Sequence, residues 1–478
     1  MPPTADHNPE PCIDGFEMYL SESLAKLVIG HQSQPLPPLA IERAKMSLAS
    51  TIASAAMGHE IESAAIIRNL ELTDAGTPVA TVWFNGTRLP ISRAVRVNAL
   101  ASDAAASDDS DLRSIAHIGT IVSAVTLAVG EKCLASGEQI LKAMVLGYEI
   151  AGRIDEALTP GRMQRGFHGS VSTVFGAVIA ASVLLNLSES QIAHAISLAA
   201  TSIGGMAISA DTSCAREYHA GNAAMIGIQA VDAAAKGFTG ELGVFEKPRG
   251  FLSAMGAQSI DEILLDFGKD WDIVTDMAIK LMPGAHPFHA TAEAAADAAK
   301  LASTDPENIE KIVISAAVQW TNFKGDPHPR NLVDAAHSLQ YFVAAAITDG
   351  EFGWQHMDEQ KMCDPVIAAL QDKVQFDPAP PPLPDRFPHR HGGTVIIHLK
   401  DGRIVQSTCK APRGSGPRGV EWHDIESKYM SLLEGAGIEP QRIRDSWNIL
   451  KGFEHQESCA KLINAIQSPT RIDTNLKG

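Results

Sequence analysis

Asp108, Asp109 and Asp111 stand within ten residues of Arg113 and His117, directly ahead of the apolar run GTIVSAVTLAVG. Carboxylates beside an imidazole are the usual material of general acid–base catalysis. The same residues also fit a solvated acidic turn capping a helix N-terminus, where Asp and Ser are favoured. A second candidate is His168 in Arg165-Gly166-Phe167-His168-Gly169, just before a long uncharged stretch. At the positive end of a helix dipole the neutral imidazole is favoured as base or hydrogen-bond donor, although a structural histidine fits equally well. Third, Arg216-Glu217-Tyr218-His219 lies between apolar segments. Arg216 can clamp a substrate carboxylate bidentately or simply pair with Glu217. Fourth, Lys280 is embedded in AIKLMPG and followed by His286 and His289. A desolvated lysine is a candidate for proton transfer. Two histidines three residues apart with no third ligand nearby are a weak metal signal, so no metal is expected.

These groups need a scaffold, and the pattern is mainly helical. Residues 15–58 show apolar positions at helical spacing, broken by the Pro-rich 34–38. Residues 77–90 (TPVATVWFNGTRLP) carry Asn-Gly between β-prone runs, a hairpin signal. Ala-rich helical patterns then run over 92–235, and their Ala, Gly and Ser on several faces predict close helix-on-helix packing. Within them, residues 169–187 are uncharged for 19 residues, which reads as a buried core helix rather than a membrane span because Ser, Thr and Gly dilute it.

Beyond residue 272 the texture changes. A strand is expected at 309–320, helices at 290–302 and 338–348, a Pro-rich connector at 376–390, and a hairpin around Lys400-Asp401-Gly402 within 392–409. The expected architecture is a large all-helical domain formed by both chain ends (1–274 and 410–478), with a smaller α+β domain (275–409) inserted in it.

Composition narrows the function. The 478 residues carry 39 Lys plus Arg against 56 Asp plus Glu, a net charge of −17, so a nucleic-acid partner is not expected. Any attraction for an anion must come from individual basic residues. The six cysteines are scattered without a C-x-x-C pair, and the N-terminus MPPTADHNPEP has no signal-peptide pattern. Both features suit a cytoplasmic protein, with residues 1–11 as a loose arm.

Taken in order, these segments resemble the MmgE/PrpD superfamily, which includes 2-methylcitrate dehydratases, cis-aconitate decarboxylase and iminodisuccinate epimerase. The resemblance rests on Gly166-Phe167-His168-Gly169, on Gly221-Asn222-Ala223-Ala224 with Gly237-Phe238-Thr239-Gly240, and on Ala278-Ile279-Lys280. It continues through His337-Ser338-Leu339-Gln340-Tyr341 and Leu399-Lys400-Asp401-Gly402-Arg403, and covers roughly residues 40–450. It implies a homodimer with the α+β part as a lid, and a site between the two parts that binds small di- or tricarboxylates without metal or organic cofactor.

The chain departs from the pattern Leu-Asp-Tyr/Phe-Asp-Asp-Thr-His in the first motif, where an ungapped alignment puts Ala106 at the leading Asp and Asp111 at the trailing His. A lysine common in the third motif is replaced by Arg216. Arginine keeps its proton, so Arg216 anchors a carboxylate and does not serve as a base. A dehydratase needs an acid for the leaving hydroxide as well as a base for the carbon proton, and a lost carboxylate counts against it.

The remaining set predicts proton movement at a carbon next to a carboxylate, with His117, Lys280 and His168 as catalytic groups. Arg113, Arg216, Asp108, Asp109, His219, His286 and Tyr341 are expected at the substrate. Epimerisation of iminodisuccinate meets this reduced requirement. A lyase of the 2-methylcitrate dehydratase or cis-aconitate decarboxylase type is the alternative, with Asp108 or Asp109 replacing the missing carboxylate. A catalytically silent carboxylate-binding protein is a third possibility.

Overall fold

The computed structural model describes residues 18–73, 76–111, 113–257, 260–316, 325–380, 392–415 and 418–467. The N-terminal arm at 1–11, Cys12 and most of the Pro-rich connector lie outside them.

Two hydrophobic cores organise the described chain. The larger is helical and draws on residues from Leu20 to Ile279 and again from Val420 to Ile466. At its centre the helix Ser170–Leu184 is buried along its whole length, as its uncharged sequence predicts. It lies against Gly137–Leu158, Ile118–Cys133 and Ala215–Ala235. Small residues make this possible. A Cβ on Gly147 would lie 2.7 Å from the Gly176 carbonyl oxygen, so the helices Gly137–Leu158 and Ser170–Leu184 cross almost backbone to backbone. The returning chain end contributes Trp422–Gly435, which packs on Pro38–Gly58. Among the described residues no helix is long and apolar enough to cross a membrane.

The smaller core runs from Met282 to Cys409. Its four-stranded sheet has the order Val374–Phe376, Ile309–Ala316, Gly393–Leu399, Ile404–Cys409. The first pair is parallel and the other two are antiparallel. Ile312 opposes Ile397 and Ile314 opposes Val395, and all four side chains are buried. The helix His286–Ala302 packs on this sheet and on Leu339–Asp349. Ser338 caps the latter helix by accepting the Tyr341 N–H at 3.3 Å.

Two elements differ from the sequence pattern. The hairpin in 77–90 pairs only Ala80 with Leu89 and Thr81 with Arg88. More consequential is the acidic segment: Asp109–Asp111 is a buried strand, antiparallel to Met277–Ile279, with Asp109 opposite Ile279 and Asp111 opposite Met277. Hydrophobic alternation cannot reveal a strand whose buried side chains are carboxylates.

The close crossing yields a test. Gly147→Ala should destabilise the protein by about 1–3 kcal/mol, because its methyl meets the Gly176 carbonyl rather than a side chain that can turn aside. A thermal melt checks this, and an unchanged midpoint would contradict the backbone contact.

Candidate active site

The Asp109–Asp111/Met277–Ile279 strand pair brings residues 108 and 280, distant in sequence, side by side. Lys280 follows Ile279, its backbone N–H reaches the Asp108 carbonyl at 3.3 Å, and its Nζ donates to Asp108 Oδ1 at 3.0 Å. The other oxygen, Asp108 Oδ2, lies 2.6 Å from His117 Nδ1 and accepts the Thr120 hydroxyl at 2.9 Å. His117 itself is the residue at which the helix Ile118–Cys133 begins.

A second carboxylate reaches the same ring nitrogen. Asp103, in the last turn of Ile91–Ala104, places Oδ1 3.0 Å from His117 Nδ1. Its Oδ2 accepts Arg216 Nε at 2.8 Å, and its carbonyl accepts Arg216 Nη2 at 2.6 Å. The result is a continuous chain, Lys280–Asp108–His117–Asp103–Arg216, with Lys280 only 2% exposed.

The electrostatics follow from burial and pairing. Burial alone would protonate Asp103, but the Arg216 guanidinium and His117 override it and hold the carboxyl well below its usual range. Asp108 is likewise desolvated, and His117 and Lys280 bring it down to about 2. For His117 desolvation favours the neutral ring, yet Asp108 and Asp103 outweigh both this and the repulsion of Lys280, and its pKa is raised. The proton therefore sits on Nδ1, between two carboxylates that both approach this nitrogen rather than Nε2. With His117 protonated, three cations oppose two anions, a balance that suits an anionic ligand.

His168 and His219 extend this chain. The His168 ring centroid is 6.4 Å from that of His117 and 5.3 Å from that of His219. Burial, then His117, pushes His168 well below the ordinary imidazole value, so it is neutral. From the smaller core comes His337, lowered to about 4 by burial and by the nearby Arg216. Arg216 and His337 also line a cavity of about 220 Å³, together with Ser63, Ala104, Ser213 and Asn331.

Other residues expected at the substrate have structural partners of their own. Arg113 pairs with four carboxylates: Glu156, Asp272 at 2.8 Å, Asp276 at 3.1 Å and Asp111 at 3.3 Å. Tyr341 is buried in the smaller core, where its hydroxyl donates to the His356 carbonyl at 2.7 Å. Asp109 accepts the Gly119 N–H at 2.9 Å and the Ser47 hydroxyl, so it caps the Ile118–Cys133 helix from a neighbouring strand. Burial pushes its pKa up to about 6. His286 Nδ1 is 2.6 Å from the Ser110 hydroxyl.

Sequence reasoning passed over three groups. Asp103 sits in a helix that reads as Ala-rich filler. His337 was noticed only as part of a family motif. Lys428, in the C-terminal helix Trp422–Gly435, donates to the Ser107 carbonyl and to Ser50 Oγ at 2.7 Å. Asp103 precedes Asp108 by five residues but sits in an apolar helical run, His337 stands out only through the motif that ends at Tyr341, and Lys428 is remote in sequence from every other candidate.

Asp103, Asp108 and His117 bring possible metal-ligand atoms within 4.8 Å of one another. A cation there would have to displace the proton from His117 Nδ1 and compete with Lys280 and Arg216, both already bonded to the carboxylates.

The MmgE/PrpD N-terminal domain model matches residues 22–262, and the MmgE/PrpD C-terminal domain model matches residues 282–448. Over 465 residues, 94% of this chain and 95% of the other, the sequence is 26% identical to cis-aconitate decarboxylase of Homo sapiens. The Mus musculus protein of the same name is 25% identical over 472 residues, 95% of this chain and 94% of its own.

The surroundings of Arg113 separate a scaffold role from a substrate-binding one. Arg113→Gln should cost about 3–5 kcal/mol by leaving buried carboxylates facing each other. Asp111 has its pKa raised to about 6, by burial first, and Asp276 is also raised. These groups take up protons more readily folded than unfolded, so the penalty should grow as pH rises from 5 to 8. Melting curves across that range check it. A stable variant with only a raised KM would place Arg113 at the substrate instead.

Proposed function

The chain belongs to the MmgE/PrpD family, and from that premise we propose that it is an acid–base enzyme acting on a small polycarboxylate. The specific reading is a lyase of the cis-aconitate decarboxylase type. The observation that carries it is His117 held between Asp103 and Asp108, with Lys280 and Arg216 completing the chain. The similarity to cis-aconitate decarboxylases along nearly the whole chain supports the lyase over other reactions of polycarboxylates.

The chemistry asks for what this set offers. When an unsaturated tricarboxylate loses carbon dioxide from its methylene carboxylate, the C–C bonding pair forms a new terminal C=C. The old double bond shifts its pair onto the neighbouring carbon, which must take up one proton. An imidazolium whose Nδ1 is fixed by carboxylates can donate that proton from Nε2. Arg216, which borders the cavity, and Lys280 are the cations suited to hold the remaining carboxylates and to stabilise the developing charge. His168, kept neutral, is suited to a hydrogen bond with the substrate.

Epimerisation of a substrate such as iminodisuccinate is the second reading, and Ala106 and Asp111 in the first motif favour it. Its main argument was a carboxylate missing from the acid–base set. Asp103 and Asp108 both reach His117, and this weakens that argument.

Proton NMR in deuterium oxide with cis-aconitate, citrate, 2-methylcitrate and iminodisuccinate tests the choice. The lyase reading predicts new terminal-methylene signals from cis-aconitate with release of carbon dioxide. Loss of an alpha-proton signal from iminodisuccinate, with no vinyl product from any substrate, would replace it with the epimerase. His117→Asn should lower turnover by about 10²–10⁴-fold.

A further inference from the structure

The loop that carries Asp108 is held from outside at three successive carbonyls. Ala106 has a positive φ of 52°, unusual for a residue with a Cβ, so this turn does not hold its shape by local preference. The Ala106 carbonyl accepts the Gly284 N–H at 2.9 Å, and the Asp108 carbonyl accepts the Lys280 N–H at 3.3 Å. Between them, the Ser107 carbonyl accepts the Lys428 ammonium. Lys428 is anchored by Ser50 Oγ at 2.7 Å, on the helix Pro38–Gly58. It therefore ties the C-terminal part of the chain to the residue just before Asp108.

We propose that Lys428 is a positioning residue for the reaction, its ammonium latching the Ser107 carbonyl so that Asp108 stays aligned between His117 and Lys280. This rests on the functional reading above for its activity readout. Two of the three clamps are backbone N–H groups and do not titrate, whereas the middle one does. The charged groups facing Lys428 are Asp108 and Asp109 from the loop and strand and Lys280 from the strand end. His289, on His286–Ala302, also feels it, but is lowered to about 3 by burial and by Lys280, and is neutral throughout the range that matters. Burial brings Lys428 down to about 7, with Asp108 working against the shift. The latch is thus closed in acid and loosens as the amine loses its proton.

Activity and stability then move in opposite directions. Between pH 7 and 10 the unfolded chain holds a proton on Lys428 that the folded chain has released, so its contribution to stability rises with pH. Positioning, by contrast, weakens over that same window.

The test compares wild type with Lys428→Met for kcat, KM and melting temperature from pH 5.5 to 10. Below pH 7 the variant should lose roughly 10- to 100-fold in kcat, the scale of a misplaced catalytic group, with little change in KM. The wild-type advantage in kcat should shrink above pH 7, while its advantage in melting temperature grows. An unchanged kcat, or activity and stability shifting together, overturns the latch. If Lys428→Met does not fold, Ser50→Ala decides: it should move the loss of kcat to lower pH, and an unshifted profile overturns the proposal. If wild type turns over none of the polycarboxylates, the functional reading fails. The latch is then judged on melting alone, where a wild-type advantage that does not grow from pH 7 to 10 overturns it.

Discussion

Two carboxylates without solvent access, Asp103 and Asp108, set the terms for everything around them. Taking an ion out of water costs several kcal/mol, and the cost is recovered only where opposite charges and hydrogen bonds meet every oxygen. Asp108 has Lys280, His117 and Thr120; Asp103 has Arg216 and His117. These partners come from positions between residues 103 and 280, so the fold must deliver distant segments to one point. The reward is an imidazole whose protonated form is favoured at a place where it would otherwise be neutral.

The scaffold reads as a set of devices for that delivery. The close helix crossing at Gly147 and Gly176 leaves Ser170–Leu184 as a rigid post, with His168 just ahead of its first residue. A three-residue strand pair aligns Asp108 with Lys280. Asp109 satisfies the start of the Ile118–Cys133 helix, and so fixes where His117 begins it. The helix Pro38–Gly58 supports the acidic segment through Ser47, on Asp109, and through Ser50, on Lys428. Arg113 does for a second group of buried acids what Lys280 and Arg216 do for the first, which explains why an arginine so near His117 in sequence is occupied elsewhere.

Much of this was legible in the sequence. Helical periodicity, the uncharged core helix, the late hairpin and the return of the C-terminal end to the helical core are consequences of apolar patterning, and apolar patterning is local. Lys280 and Arg216 were visible because a basic residue in apolar surroundings is rare, and His117 because carboxylates crowd it in sequence. Asp103 and Lys428 were not, since each looks like one polar residue in an amphipathic helix until tertiary contacts show what it faces. Nor could an ungapped motif alignment show that Asp103 and Asp108 together supply His117 with carboxylates. Arg113 and Tyr341 mark the converse limit: nearness to His117 in sequence suggested a substrate role for the first and a family motif suggested it for the second, while side-chain direction gave them other partners.

The most direct measurement is the ionisation of His117, followed by NMR of protein labelled with nitrogen-15 in its histidine rings and assigned with His117→Asn. The carboxylate pair predicts that His117 holds its proton on Nδ1 above the ordinary imidazole range, and that Asp108→Asn brings its titration down. A His117 that titrates below that range in the wild-type protein, or is indifferent to Asp108→Asn, would contradict the charge chain on which this account of the site depends.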